Sequence, residues 1–374
     1  MAAAPAIVFG DGEIYQLQEH LKKLGATRAL IIYDANVKSL VGPILEHLEG
    51  FVFDTFDRIV PESPDHAVQD LRDHARSFGA DAYVAIGGGS TMDTARAAML
   101  LSNTDEPVDH FFDQPYTGEV PQASFICVPT TAGTGAEMSA AGPILNTKTN
   151  VKKGLMLPFR QADMVILDPE MTKTLPPFVA YCCAMDALAH SMEAMTGLRR
   201  NAMTDMICGQ AVEYIWKYLP RVMEDPTDVE ARGHLILASN LAIGCQNIRQ
   251  LGHAVCQPVG GKLHLSHGYS CAAVIPAATN AYSGIEETKE AWAYVAKRMG
   301  IEGGEDPARA IAEAVAASNK KYGIQTLEEK GYSWEEVLSC TEEILKDQRL
   351  LPNVPIPVTE ELIRNTLKEM YYGI

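Results

Sequence analysis

Up to about residue 170 the chain alternates short, β-branched apolar runs with amphipathic stretches, and few folds accommodate that alternation. The runs "RALIIYD" (28–34), "GFVFDTF" (50–56), "DAYVAIGGG" (81–89) and "ASFICVPTT" (123–131) read as buried strands, and "AVQDLRDHARSFG" (67–79) reads as one of the helices between them. Strands that alternate with helices imply a mostly parallel sheet covered by helices. After "DMVILDPEMTKTLPP" (163–177) the texture changes. From Phe178 onward long helical stretches dominate, among them "VAYCCAMDALAHSMEAM", "TDMICGQAVEYIWKYL", "VEARGHLILASNLAIGC" and "ARAIAEAVAASNKKYG". A chain of 374 residues exceeds what one core usually supports. Two domains are therefore expected, an α/β domain over residues 1–177 and an all-α domain over 178–374, with the Pro176-Pro177 pair near the boundary.

A formal net charge of −17 argues against a nucleic-acid partner, which needs a basic face. The N-terminal stretch lacks the basic-then-apolar layout of a secretory signal, and no apolar run approaches the roughly 18 residues that span a bilayer. The expectation is a cytoplasmic protein without a membrane partner. Eight cysteines are scattered without a CxxC pair, several of them (Cys182, Cys183, Cys208) in apolar helical stretches. They read as reduced core residues and not as metal ligands.

Two glycine-containing loops follow predicted strands. "AIGGGSTMDTARAAML" (85–100) puts three glycines between a strand and a helix, where the backbone can approach a pyrophosphate and the helix N-terminus offers free N–H groups. The same pattern also suits a plain tight turn, since it is neither GxGxxG nor a P-loop. "PTTAGTGAEMS" (129–139) again follows an apolar strand with small and hydroxyl residues. Two such loops favour a nucleotide crevice beyond the strands' carboxyl ends. Asp34, at the end of "LIIYD", stands where a carboxylate accepts from a ribose hydroxyl and repels a 2′-phosphate, which favours NAD over NADP; it also suits a helix cap.

The stretch 179–195 is apolar nearly all round, the mark of a buried helix, yet Asp186, His190 and Glu193 lie on one face at spacings of four and three. A buried carboxylate and imidazole need partners. A local hydrogen bond or ion pair would serve the Asp–His pair alone. Further on, "LGHAVCQPVGGKLHLSHGY" (251–269) brings His253 and His267, read here as separated by a turn at Gly260-Gly261. Three imidazoles and one carboxylate suit Fe2+ or Zn2+.

"GGGSTMDTARA", "PTTAGTGAE", "LDPEMTKTLPP", "MDALAHSMEAM" and the His253/His267 pair, in this order over almost the whole chain, resemble the iron-containing (group III) alcohol dehydrogenases. The resemblance implies an N-terminal Rossmann-like NAD-binding domain, a C-terminal helical domain and an active-site cleft between them holding a divalent metal, with dimers or larger homo-oligomers. It implies Asp186, His190, His253 and His267 as metal ligands. Gly87, Gly88, Gly89 and Ser90, with Asp93 in the same motif, correspond to the pyrophosphate loop. Thr130 and Thr131, with Thr134 in the same loop, correspond to nucleotide contacts, and Asp34 to the ribose-side acid. Lys152 matches a lysine that often reaches the cofactor, with Lys153 leaving the register open by one.

The chain departs from that pattern in two places. Many members read HxxxH where this one reads "HAVCQ", so Gln257 stands where a proton-relay histidine is expected. Glutamine does not titrate near neutral pH and cannot be a general acid or base. His264 would substitute only if its loop folds inward. Arg249 and Lys262 occupy stretches where the family usually carries apolar residues, and they point to a small anionic aldehyde or alcohol carrying a sulfonate, phosphonate or carboxylate. Ion pairing at the surface would explain them equally. The expected activity is a metal-dependent NAD(H) alcohol dehydrogenase or aldehyde reductase with direct hydride transfer. The alternatives are a general short-chain alcohol or diol dehydrogenase, a glycerol dehydrogenase-like variant, a dehydroquinate synthase-like lyase, and a nucleotide-binding protein without catalysis.

Overall fold

The computed structural model describes residues 4–244 and 249–374. Cys245, the last residue of one expected helical stretch, lies outside them. The chain divides into two compact units, Met1–Leu175 and Pro176–Ile374.

The described residues of unit one form eight strands: β1 (Ala6–Phe9), β2 (Arg28–Tyr33), β3 (Val52–Phe56), β4 (Ala82–Gly87), β5 (Ser124–Pro129), β6 (Pro143–Asn146), β7 (Val151–Gly154) and β8 (Met164–Leu167). Six of them form one parallel sheet in the order β1-β8-β5-β4-β2-β3, and β6 and β7 make a separate antiparallel pair. The helices α1 (Leu17–Lys23), α2 (Lys38–Glu46), α3 (Asp65–Phe78) and α4 (Gly89–Leu100) lie in the connections. The four runs read as strands from sequence are β2 to β5. The strands β1 and β8 escaped that reading because four residues are too few to show a period.

β2, β4, β5 and β8 are buried along nearly their whole length, as their continuous apolar runs require of a sheet covered on both faces. The chain leaves β2 toward β3 on one side and leaves β4 toward β5 on the other, so the direction of winding reverses between β2 and β4. In open α/β sheets that reversal opens a crevice at the carboxyl ends of the two strands. Register places Tyr33 beside Ile86 and Gly87 beside Pro129. Asp34, the glycine turn and the Thr130 loop therefore all leave the sheet at one edge.

Unit two is all-helical: α5 (Pro177–Thr196), α6 (Ala202–Glu224), α7 (Val229–Gly244), α8 (Leu251–Lys262), α9 (His267–Asn280), α10 (Glu286–Met299), α11 (Pro307–Lys321), α12 (Trp334–Leu338), α13 (Thr341–Leu345) and α14 (Glu360–Tyr372). Pro176 and Pro177 open α5, where a missing N–H costs nothing. From Ala184 to Thr196 every residue of α5 is buried, so it is the core helix its composition predicted. Among the described residues no helix is long and apolar enough to cross a membrane.

The Gly260-Gly261 pair corrects the sequence reading: both glycines lie inside α8, and the chain turns at 263–266. A Cβ on Gly260 would stand 2.5 Å from Ser270 Oγ, so the residue is small because α9 packs against it. Gly268 plays the same part between α9 and α5, where an added Cβ would meet the Cys182 carbonyl oxygen at 2.7 Å. Backbone cannot yield as a side chain can. Gly268→Ala should therefore push α9 off α5 and destabilise the chain by about 1–3 kcal/mol, read as a lower urea midpoint than the wild type; an unchanged midpoint would show that the two helices are not held in this contact.

Candidate functional site

Helices α5, α8 and α9 converge on one carboxylate. Asp186, 1% exposed, presents Oδ1 3.5 Å from His190 Nδ1, 3.4 Å from His253 Nε2 and 3.4 Å from His267 Nε2. Donor atoms bonded at about 2.1 Å to one tetrahedral centre stand roughly 3.4 Å apart, so these separations are those of a ligand shell. Both ring nitrogens of His190 are buried without a hydrogen-bond partner. Its ring stacks on that of His253, with centroids 4.3 Å apart. A buried imidazole with both nitrogens unpartnered, stacked on a second ring, is costly unless a cation accepts a lone pair. The donor set therefore fits a divalent metal.

Electrostatics favour the same state at His190 and Asp186, whereas at His253 and His267 burial is outweighed by the neighbouring carboxylates, which raise the imidazoles, His253 to about 10 through Glu193 and Asp186 and His267 through Asp186. Burial first, then the charges of His253 and Arg249, hold His190 well below its ordinary value against the opposing pull of Asp186, which leaves the ring neutral with a lone pair to give. Burial works against ionisation of Asp186, but the neighbouring His190 and His267 outweigh it and keep its carboxyl well below the usual range. His267 is the outward member of the set, its side chain 40% exposed.

Glu193, placed by sequence on the same face of α5 without a role, holds His253 in place. Its Oε1 accepts from the His253 backbone N–H at 2.9 Å, and its Oε2 lies 2.7 Å from Nδ1. That contact fixes the ring with Nε2 toward Asp186, the arrangement by which a carboxylate orients a metal-binding histidine. A Cβ on Gly252 would stand 2.7 Å from Glu193 Oε1, so the bond needs a glycine there.

A second finding was not visible in sequence. Cys271, read as a core residue, joins Asp186, His253 and His267 in a group whose ligand atoms all lie within 4.8 Å of one another. The readable signal was its spacing, since Cys271 follows His267 by four residues as His190 follows Asp186.

The remaining expected residues fall in three places. At the sheet edge, β4 ends at Gly87 and α4 begins at Gly89, with Thr131 Oγ1 3.3 Å from where a Gly88 Cβ would be and Thr134 Oγ1 3.2 Å from that of Gly89. Thr130 N–H donates to Gly87 O at 3.0 Å and ties the two loops together. Asp34 caps the turn after β2, accepting from Asn36 N–H at 2.8 Å, and Ser90 Oγ accepts from Glu62 N–H at 3.2 Å. Asp93 binds the buried Arg96 at 3.0 Å, and Lys152 on β7 pairs with Glu62 at 2.9 Å. Lys153 pairs with Asp113 at 2.9 Å.

In unit two, Gln257 is half-buried one turn beyond His253 on α8. His264 is exposed in the α8–α9 connection with a left-handed backbone, φ 53°, and is not among the side chains gathered around Asp186. Lys262 is exposed, and the groups that feel its charge are Glu336 and Cys340. Arg249 is different. Its charge reaches His190, and its Nε is buried without a hydrogen-bond partner.

Comparison with known proteins agrees with this geometry. A family described as iron-containing alcohol dehydrogenase matches residues 4–169, and one described as Fe-containing alcohol dehydrogenase family, C-terminal, matches residues 180–371. The chain is similar to a sulfoacetaldehyde reductase of Bilophila wadsworthia (strain 3_1_6), 29% identical over 372 residues that cover 96% of this chain and 95% of that protein. It is also similar to an NAD-dependent methanol dehydrogenase of Bacillus methanolicus, 29% identical over 377 residues, covering 97% and 98%. In fold it matches the crystal structure of a sulfoacetaldehyde reductase from Bifidobacterium kashiwanohense in complex with NAD+, with a TM-score of 0.88 at 23% identity over 100% of this chain and 98% of that one.

Glu193→Gln keeps the shape but replaces one acceptor oxygen with an amide that must turn an N–H toward His253. We expect the affinity for Zn2+ or Fe2+ to fall by about 10- to 100-fold, measured by competition with a chromophoric chelator. An unchanged affinity would mean that Glu193 supports only the helix packing.

Proposed function

The chain belongs to the iron-containing alcohol dehydrogenase family, and from that premise we propose a metal-dependent NAD(H) alcohol dehydrogenase that works as an aldehyde reductase on small anionic substrates. The observation that carries the metal assignment is His190, buried and unpartnered at both nitrogens beside a carboxylate that two further imidazoles approach. In this reading Asp186, His190, His253 and His267 hold Fe2+ or Zn2+. The edge formed by Asp34, Gly87 to Ser90, Thr130, Thr131 and Thr134 holds the dinucleotide, with backbone N–H groups of α4 toward the pyrophosphate. When bound, the nicotinamide supplies hydride and the metal supplies a Lewis acid that polarises the carbonyl.

The chain's own side chains do the rest. Glu193 orients His253, and Gln257 offers an amide that can hold a substrate oxygen but delivers no proton. With His264 exposed, the proton comes from water or a cofactor hydroxyl. The pairing of Asp93 with Arg96 and of Lys152 with Glu62 supports a role in shaping the nucleotide edge. Of the two expected anion-binding cations, Arg249 carries the proposal and Lys262 does not. Relatives of equal identity bear names with an anionic and a neutral substrate, so relatedness alone does not choose between them. The unused Nε of Arg249 beside His190 favours the anion, because a guanidinium offers a planar fork to two oxygens. Seven cysteines that form no disulfide among the described residues suit the reducing cytoplasm as its compartment. The edge strand β1, with Ile7 and Phe9 about half exposed, suits assembly into a homo-oligomer.

The test is anaerobic loading with Fe2+ followed by rates with NADH deuterated at C4 and matched aldehydes. Deuterium should appear on the carbinol carbon of the product, with NADH consumed in equal amount. Product formed without net NADH consumption would instead indicate a lyase on this scaffold. For the substrate class, sulfoacetaldehyde, phosphonoacetaldehyde and succinic semialdehyde should exceed propanal in kcat/KM by about a hundredfold, roughly 2.7 kcal/mol.

Arg249→Ala should lower kcat/KM for the anionic aldehydes by about 10- to 100-fold while leaving propanal within a few-fold. Equal losses on both would assign Arg249 to the support of His190 and not to substrate.

A further inference from the structure

We propose that Cys271 is a ligand of the same metal, which gives the centre a thiolate in addition to its carboxylate and imidazoles. The proposal builds on the reading that Asp186, His253 and His267 hold a divalent ion. Cys271 Sγ lies 3.4 Å from Asp186 Oδ1, 3.7 Å from His267 Nε2 and 4.0 Å from His253 Nε2. With a metal–sulfur bond of about 2.3 Å and metal–nitrogen or –oxygen bonds of about 2.1 Å, tetrahedral neighbours of a sulfur stand roughly 3.6 Å away. The sulfur therefore occupies a ligand's place. Among the described residues, Asp186, His253, His267 and Cys271 lie mutually close, and His190, with Nδ1 3.5 Å from Asp186 Oδ1, approaches the same carboxylate.

The position is one a packing residue would not need. Cys271 is 0% exposed, one turn into α9. Its sulfur points among three polar donors. Cys256, on α8, comes within 3.6 Å of Cys271 Sγ but bonds to the His253 carbonyl at 3.8 Å and is not part of the group. Helix geometry explains how Cys271 arrives there: on α9 it stands one turn beyond His267, so both project from one face. Binding breaks the S–H bond, forms the metal–sulfur bond and releases the proton to solvent, with no change in oxidation state.

A thiolate changes what the centre prefers. Soft sulfur ligands favour Zn2+ over Fe2+ relative to an all-nitrogen-and-oxygen set. It also removes one positive charge from the centre. This chain should thus hold Zn2+ in preference to the iron for which its family is named.

Metal-stripped wild-type protein titrated anaerobically with Co2+ should bind the ion and develop a near-ultraviolet sulfur-to-cobalt charge-transfer band. The band should vanish in Cys271→Ser and persist in Cys256→Ala, and Cys271→Ser should weaken Zn2+ binding by about tenfold or more while changing Fe2+ binding less. X-ray absorption of the zinc-loaded wild type, which needs no variant to fold, should show a sulfur scatterer at about 2.3 Å. Cobalt bound with visible ligand-field bands but no sulfur band, or a band that survives Cys271→Ser, overturns the thiolate ligand and leaves the histidine site standing. No cobalt bound at all overturns both.

Discussion

Unit two is organised around the cost of burying the Asp186 carboxylate in an apolar helix. A charged group at 1% exposure is stable only if partners are delivered to it at fixed distances. Those partners come from three helices, so α5, α8 and α9 must approach more closely than ordinary side chains permit. Glycine makes each approach possible. Gly252 admits the Glu193 carboxylate to α8, Gly260 admits Ser270 from α9, and Gly268 lets α9 reach the Cys182 carbonyl. The geometry around Asp186 is thus set by positions that carry none of the side chains gathered there. The side chains that chemistry needs are long and polar, whereas the contacts that aim them are made where there is no side chain at all.

This explains which parts of the structure were legible in the sequence. The central strands β2, β4 and β5 announce themselves because burial on both faces makes them continuously apolar. β1 and β8 are equally parallel but only four residues long, and nothing local distinguishes them from a loop. The candidate ligands were legible because a carboxylate and an imidazole in an apolar helix need partners, and His253 and His267 added two more imidazoles to a pair that a local ion pair alone would explain. The Gly260-Gly261 pair was misread since glycine signals either a turn or a close approach, and only the neighbour from α9 decides between them. Cys271 was missed for a related reason: in an apolar helix a thiol looks like a small hydrophobe, and its four-residue offset from His267 becomes informative only once α5 is known to lie opposite.

The nucleotide edge shows a different division. Its glycines and threonines are few and generic, and none of them alone marks a dinucleotide site. Their meaning comes from topology. Because the chain reverses its winding between β2 and β4, the ends of β2, β4 and β5 open onto one side of the sheet, and residues far apart in sequence, Tyr33 with Ile86 and Gly87 with Pro129, become neighbours. Thr131 and Thr134 approach the glycine turn to within 3.3 Å of the space its missing side chains leave. A bulkier turn would push those hydroxyl-bearing side chains away from where a pyrophosphate meets the helix N-terminus.

The departures from the family pattern bear on one another through charge. A divalent ion held as proposed and the Arg249 guanidinium would together put three positive charges near His190, with the carboxylates of Asp186 and Glu193 answering two of them. Water screens such an excess poorly at the buried side of the centre. Two sources of negative charge are at hand: a thiolate at Cys271, fixed within the ligand shell, and the anionic group of a substrate, present only during turnover. The first would make the resting centre tolerable beside the Arg249 guanidinium, whose Nε has no hydrogen-bond partner. Under the proposed function the second would complete the neutralisation when the substrate arrives, so that attraction for the anionic group and placement of its carbonyl beside the metal would be parts of one event. Gln257 fits this scheme better than a histidine would, because a second titrating imidazole one turn beyond His253 would carry a further positive charge into a region already short of negative ones.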